Sequence, residues 1–379
     1  MNIAIYNTSW DTMGGGEKYL CALADVLSRD PAHAVSLLID YPGATGEKLR
    51  KFFDLALERV ALKQVDKRSL GPALAEADLA VIQTNWKPIH SGAPGTVYIL
   101  HVPYGPIGPA TLARRLLHGE FKEGLKDVVR ARLLHEARHA RAAIVNSLFA
   151  RDSLLRHHGI AATCIQPAID DFLRPITKER IILSVGRFFR GLYNDKRYDV
   201  MIDAFRVLTA RQPDHGWQYW LAGSCGTDAP SQKYLDRLRR SAEGLPVVFH
   251  VNPPYTLLTE CYNRATLFWH AAGFEVNQDI YPERMEHFGM TTVEAMTARC
   301  VPIVYDGGGQ REIVTAGTSG FFWSTTERLV ATTLTAMNDP AMTARIADGA
   351  RERSADFSHT RFAHTVTTFF HELLANHHG

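Results

Sequence analysis

No apolar run in this 379-residue chain reaches the roughly 20 residues a membrane-spanning helix needs, so a spanning segment is excluded. Cysteine is scarce. Cys21, Cys164, Cys225, Cys261 and Cys300 lie scattered with no C-x-x-C pair, which excludes a disulfide framework and a thiolate zinc site and reads as buried, reduced thiols. No two aspartates are spaced D-x-D, a pairing that many metal-dependent sites use, and no metal ligand set is expected. The loop after the first strand lacks both G-x-G-x-x-G and the Lys-Ser/Thr of a P-loop, which argues against dinucleotide and nucleoside-triphosphate sites. An excess of either charge is also missing. With 42 basic and 40 acidic side chains, the chain shows no electrostatic footprint for nucleic acid. No basic n-region with an apolar core opens the sequence, because residues 1–6 already read as a strand; the expectation is a cytoplasmic protein.

What is present is alternation. Apolar strands are expected at 2–7, 34–40, 60–65, 79–83, 97–101 and 142–146, with a helix at 17–27 after a Gly-rich loop. The pattern pauses at 166–170, passes a polar stretch at 171–180, and restarts. Strands then fall at 181–185, 218–222, 247–251, 267–271 and 301–305, helices at 200–210, 234–243 and 257–264, and the tail is helical at 329–337, 342–353 and 361–374. Near-continuous apolar strands separated by helices imply parallel sheets covered on both faces. The fold class is α/β: two doubly wound, Rossmann-like domains facing a cleft, residues 1–170 and 171–360, joined by a short linker.

The stretch 286–305 organises the candidate chemistry. Glu286 and Glu294 bracket a turn containing Gly289, which opens a short helix whose Met290, Val293 and Met296 face a core. The first turn of a helix has free N–H groups and a partial positive charge, which suits a phosphate. Elsewhere, Gly14, Gly15 and Gly16 form part of the Gly-rich run 11–18; His101 follows an apolar strand; Arg187 and Lys196 supply cations after Ser184-Val185-Gly186; Gly223 ends another strand; and Gly307, Gly308 and Gly309 lead to Glu312.

The run EHFGMTTVEAMTARCVPIVYDGGGQREIV (286–314) resembles the donor-binding signature of retaining glycosyltransferases of family four, which have the GT-B fold and a Glu-x7-Glu motif. The longer loop 275–285 resembles the E-H-F-G subgroup found among mannosyltransferases. The resemblance implies that the chain is an enzyme moving a hexosyl group from a nucleoside-diphosphate sugar to a hydroxyl, with the donor on the C-terminal domain and the acceptor on the N-terminal one. It implies catalytic roles for Glu286 and His101. Arg187, Lys196, Gly289, Met290, Gly15 and Gly16 would hold the diphosphate, and Glu294, Gly223, Thr291 and Glu312 the nucleotide and sugar. Because loop 188–195 is longer than the family pattern, Arg197 is the alternative to Lys196. No cofactor and no metal are expected. The last helix, with its end at about 361–379, would cross back to the first domain. The E-H-F-G string favours GDP-mannose over a UDP-sugar.

Two other functions fit the same motifs: a nucleotide-sugar epimerase of the same fold, which needs no acceptor, and a non-catalytic nucleotide-sugar binding protein. The helical segment 112–141 carries Arg114, Arg115, Lys122, Lys126, Arg130, Arg132, Arg138 and Arg141 among leucines. It reads either as a solvated helix pair or as a peripheral contact with an anionic membrane face bearing a lipid-linked acceptor.

Overall fold

The computed structural model describes residues 1–10, 14–53, 55–117, 119, 121–191, 193 and 195–375. Two units emerge: Met1–Ala168 with the segment from His359, and Ile169–Ser358. Both are parallel α/β sheets.

In the first unit the strands are β1 (Asn2–Asn7), β2 (Ala34–Ile39), β3 (Val60–Gln64), β4 (Leu79–Gln83), β5 (Gly95–Ile99), β6 (Ala142–Val145) and β7 (Thr163–Cys164). They lie in the order β3-β2-β1-β4-β5-β6-β7, all parallel. Ile3, Ile5, Leu37, Val81 and Ile99 pack against Leu20, Leu23 and Leu27 of helix Gly15–Ser28. Phe362, Val366 and Phe370 join the same core from helix His359–Ala375. Their spacing of four residues puts all three on one helix face, and that apolar face ties the C-terminus to the first sheet.

The second unit holds β8 (Glu179–Val185), β9 (Gln218–Gly223), β10 (Val247–Val251), β11 (Ala265–His270), β12 (Val301–Tyr305) and β13 (Phe321–Trp323), ordered β10-β9-β8-β11-β12-β13 and again all parallel. In each sheet the order reverses once, between β1 and β4 and between β8 and β11. Ligands of open α/β sheets bind beyond the carboxyl ends of strands at such points.

Several helices escaped the sequence reading, among them Gly46–Phe53, Leu70–Ala75 and Leu148–His158. The last has legible ends. Ser147 Oγ accepts the Ala150 N–H at 3.0 Å as an N-cap, and Gly159 closes the helix at φ +62°. Asn146-Ser147 therefore begins a helix. The basic segment forms two helices, Pro109–Leu117 and Phe121–Arg138. The side chains of Arg114 and Leu116 lie outside the described residues, as do Asp11, Thr12 and Met13 of the first Gly-rich loop and Leu192 and Asn194 of loop 188–195. No helix among the described residues is long and apolar enough to cross a membrane.

Candidate active site

In the second unit the site is built on the loop between the 3₁₀ turn Pro282–Arg284 and helix Met290–Thr297. Gly289 caps that helix at φ +116°, and a Cβ there would meet Gln310 Nε2 at 2.8 Å. Glycine is required on both counts. The run 307–309 supports this loop. Gly309 N–H donates to the Glu286 carbonyl at 2.8 Å, and side chains at 308 or 309 would strike the backbone of Glu286, His287 and Phe288. The glycines let two loops touch backbone to backbone.

That packing holds Glu286 in a buried cluster. One carboxylate oxygen accepts from Lys196 Nζ at 2.6 Å and from His270 Nε2 at 2.8 Å, and the lysine nitrogen lies 3.4 Å from the same histidine nitrogen. Burial alone would push the Glu286 carboxyl up. The Lys196 charge and the His270 hydrogen bond outweigh it and hold the group well below the usual carboxylate range. Burial pushes His270 down, so the ring is neutral and its Nε2–H donates to the carboxylate. His287, also lowered by burial, is turned away and bonds the Glu283 carbonyl at 3.0 Å.

Lys196 and its alternative separate clearly. The Arg197 guanidinium is spent on the Phe274 carbonyl at 2.8 Å and on Glu275 at 3.3 Å, while Lys196 reaches the cluster. Arg187 stands exposed past the end of β8 and forms no ion pair among the described residues. Gly223 ends β9 at φ +157°, where a Cβ would fall on the Gly186 carbonyl oxygen, so its glycine is a packing requirement. Glu294 sits just over one turn into helix Met290–Thr297 and accepts the Tyr262 hydroxyl at 2.6 Å. Met290 opens the helix beside a core of Phe288, Val293 and Ile313, and the half-buried Thr291 follows it. Glu312, in the turn Gln310–Ile313, gives its carbonyl to Arg353 at 2.6 Å.

Gln310 was not singled out from the sequence. It is fully buried against Gly289, and neither amide atom, nor Thr291 Oγ1, has a hydrogen-bond partner among the described residues. Buried polar groups without partners beside a helix start mark a place that a ligand or water completes.

In the first unit the polar residues gather beyond β1, β4 and β5. His101, two residues past β5, is buried and bonds Gln83 Oε1 through Nε2 at 2.9 Å; its ring meets Tyr19 edge-on at 4.8 Å. Gly15 is exposed at the first turn of helix Gly15–Ser28. A Cβ at Gly16 would meet Gln83 Nε2 at 2.6 Å, so the third glycine of the loop makes room for that amide. Asn7, Gln83 and His270 were missed as site residues, and they share one signal: each is the polar last residue of a parallel strand, after a run of apolar residues.

Two parallel-sheet Rossmann-like units, with polar clusters at the carboxyl ends of their strands, define the GT-B architecture. Residues 166–353 match the family model described as glycosyl transferases group 1, and this part of the chain is a glycosyltransferase group 1 domain. Among curated proteins, mannosylfructose-phosphate synthase of Agrobacterium fabrum is 26% identical over 164 residues, 41% of this chain and 33% of that protein. GDP-Man:Man(3)GlcNAc(2)-PP-Dol alpha-1,2-mannosyltransferase of Xenopus laevis is 28% identical over 139 residues, 35% of this chain and 25% of that protein. The matched region thus spans a third or less of these relatives' own length. A glycosyltransferase from Rickettsia africae ESF-5 superposes with a TM-score of 0.72 at 15% identity, covering 99% of both chains. Anabaena HepE in complex with UDP gives 0.69 at 17% identity, covering 98% of this chain and all of that one. At these identities the two structures bear on the fold alone.

Proposed function

We propose that the protein is a retaining glycosyltransferase that moves a hexosyl group from a nucleoside-diphosphate sugar to a hydroxyl of a glycan, lipid-linked or small-molecule acceptor. The observation that carries this reading is the buried Glu286–Lys196–His270 cluster at the carboxyl ends of the strands of a glycosyltransferase group 1 domain. Lys196, Arg187 and the amides at Gly289 and Met290 hold the departing diphosphate. Glu294 and Thr291 take the ribose and nucleotide, with Gly223 and Glu312 nearby, and Glu286 the sugar. Lys196 rests on Glu286, and the donor divides the pair: phosphate takes the lysine, and a sugar hydroxyl takes the carboxylate. Fixed positive groups already stabilise the leaving group, so the reading requires no metal. His101 keeps its catalytic role, and Gly15 and Gly16 theirs at the diphosphate. The acceptor hydroxyl attacks on the face the diphosphate leaves, and the leaving phosphate accepts its proton; a glycosyl adduct trapped on Glu286 contradicts this path.

Two relatives named for mannosyl products support GDP-mannose as the donor. The test is a thermal-shift screen of UDP-, GDP- and ADP-sugars followed by transfer assays. A donor at 100 times its dissociation constant adds about 2.7 kcal/mol of stability. Stabilisation by no nucleotide-sugar ends the proposal. Conversion of donor without acceptor supports an epimerase, and binding without any turnover a binding protein.

The acceptor side also supports peripheral membrane contact. Leu117, Phe121, Leu125 and Val128 are 85%, 65%, 69% and 57% exposed. The last three share one face of helix Phe121–Arg138, and Arg132, His135 and His139 continue that face. An exposed apolar wedge on a helix that also carries Lys122, Lys126 and Arg132 suits an anionic lipid surface. We expect co-sedimentation with vesicles containing phosphatidylglycerol and at least a tenfold loss in Leu125→Glu; equal partition of the two proteins overturns the contact.

A further inference from the structure

We propose that Asn7 and Gln83 form a hydrogen-bond relay that fixes the polarity of His101, so that the neutral ring serves its ligand as an acceptor at Nδ1 and never as a donor. The argument starts from a backbone group whose polarity cannot reverse. Ser9 N–H donates to Asn7 Oδ1 at 3.2 Å, and Asn7 Nδ2 donates to the Ser9 carbonyl at 2.7 Å. These two bonds leave one orientation for the Asn7 amide. The atom of Gln83 that faces Asn7 Oδ1 at 3.3 Å must then be its NH₂. Oε1 is consequently the atom turned to His101 Nε2 at 2.9 Å, and an acceptor there requires Nε2 to carry the proton.

Asn7, Gln83 and His101 are buried, and a Cβ at Gly16 would strike the Gln83 amide. Asn7 and Gln83 are the last residues of β1 and β4, the two strands between which the sheet order reverses. The relay therefore lies where the fold collects ligands. With Nε2–H committed to Gln83, the lone pair at Nδ1 is what the neutral ring has left. It accepts a hydrogen bond from a hydroxyl, or the proton itself. Asn7 and Gln83 are positioning residues; only His101 would touch a ligand, and that part rests on the glycosyltransferase reading.

The relay is tested in the full-length ¹⁵N-labelled protein by long-range ¹H–¹⁵N correlation of the histidine rings, with His101 assigned from its loss in His101→Gln. We expect a neutral ring with an Nε2–H proton protected from solvent exchange. Gln83→Glu, which still offers an acceptor oxygen, keeps that proton. Gln83→Leu, which offers none, loses the protection. An Nδ1–H ring in the wild type, or an equally protected Nε2–H in Gln83→Leu, overturns the relay. Transfer assays separate the two layers. Gln83→Leu should lower kcat about tenfold with little change in donor KM, and Gln83→Glu should restore part of it. If protection is lost while kcat stays at the wild-type value, the polarity of His101 has no part in turnover and the functional half of the proposal falls, although the glycosyltransferase reading stands.

Discussion

Glu286→Gln is expected to lower turnover about 100-fold or more while nucleoside diphosphate still binds. Glutamine keeps the size of the side chain and one acceptor oxygen but loses the charge. A bond from a sugar hydroxyl to a carboxylate is roughly twice as strong as one to a neutral amide, and removing one fixed electrostatic contact from a water-poor site typically costs about 10²–10³ in rate. The same change strands Lys196 beside a neutral group. Lys196 and Glu286 are mostly buried, with side chains 17% and 8% exposed, and loss of one partner of such a pair costs about 3–5 kcal/mol. The variant should melt at lower temperature, and nucleoside diphosphate, by giving Lys196 a new anion, should recover more of the loss than it adds to the wild type. Turnover within threefold of the wild type would remove Glu286 from the chemistry.

Lys196→Met should reverse the pH dependence that Glu286 contributes to stability. In the wild type the folded carboxyl is held below its ordinary range, chiefly because the Lys196 charge and the His270 hydrogen bond overcome the upward push of burial. A depressed folded value means stability that is present above the unfolded carboxylate range and lost as the pH falls through the folded one. Methionine fills similar volume without charge. Burial then dominates, the folded carboxyl rises above its unfolded value, and the group contributes stability that is present in acid and lost as pH rises. Urea midpoints should show a deficit of about 3–5 kcal/mol near pH 7 that shrinks to a fraction of that near pH 4. A deficit independent of pH would mean that the Lys196–Glu286 pair does not form in solution. Arg197→Met, whose lost partners are a carbonyl and two more exposed carboxylates, should show no such trend.

The sequence by itself determined the architecture. Strands such as 2–7, 79–83 and 301–305 have near-continuous apolar interiors, and a parallel sheet buried on both faces needs that composition, so the sequence pattern alone exposed them. It also determined the place of Glu286, Gly289 and Glu294, because a turn, a helix start and a strand follow one another there within twenty residues and their contacts are local. Only the tertiary structure decided that Lys196 rather than Arg197 reaches Glu286, since they are adjacent in the chain and the choice depends on Phe274 and Glu275 about 80 residues on. It alone brought His270 to Glu286 and joined Asn7, Gln83 and His101, whose separations of 76 and 18 residues carry no periodic signal. It also laid Gly308 and Gly309 against the backbone of residues 286–288. The reason is the same in each case. Period and composition report which face of an element is buried, whereas the hydrogen-bond partner of a side chain is chosen by whatever distant strand end the fold lays beside it.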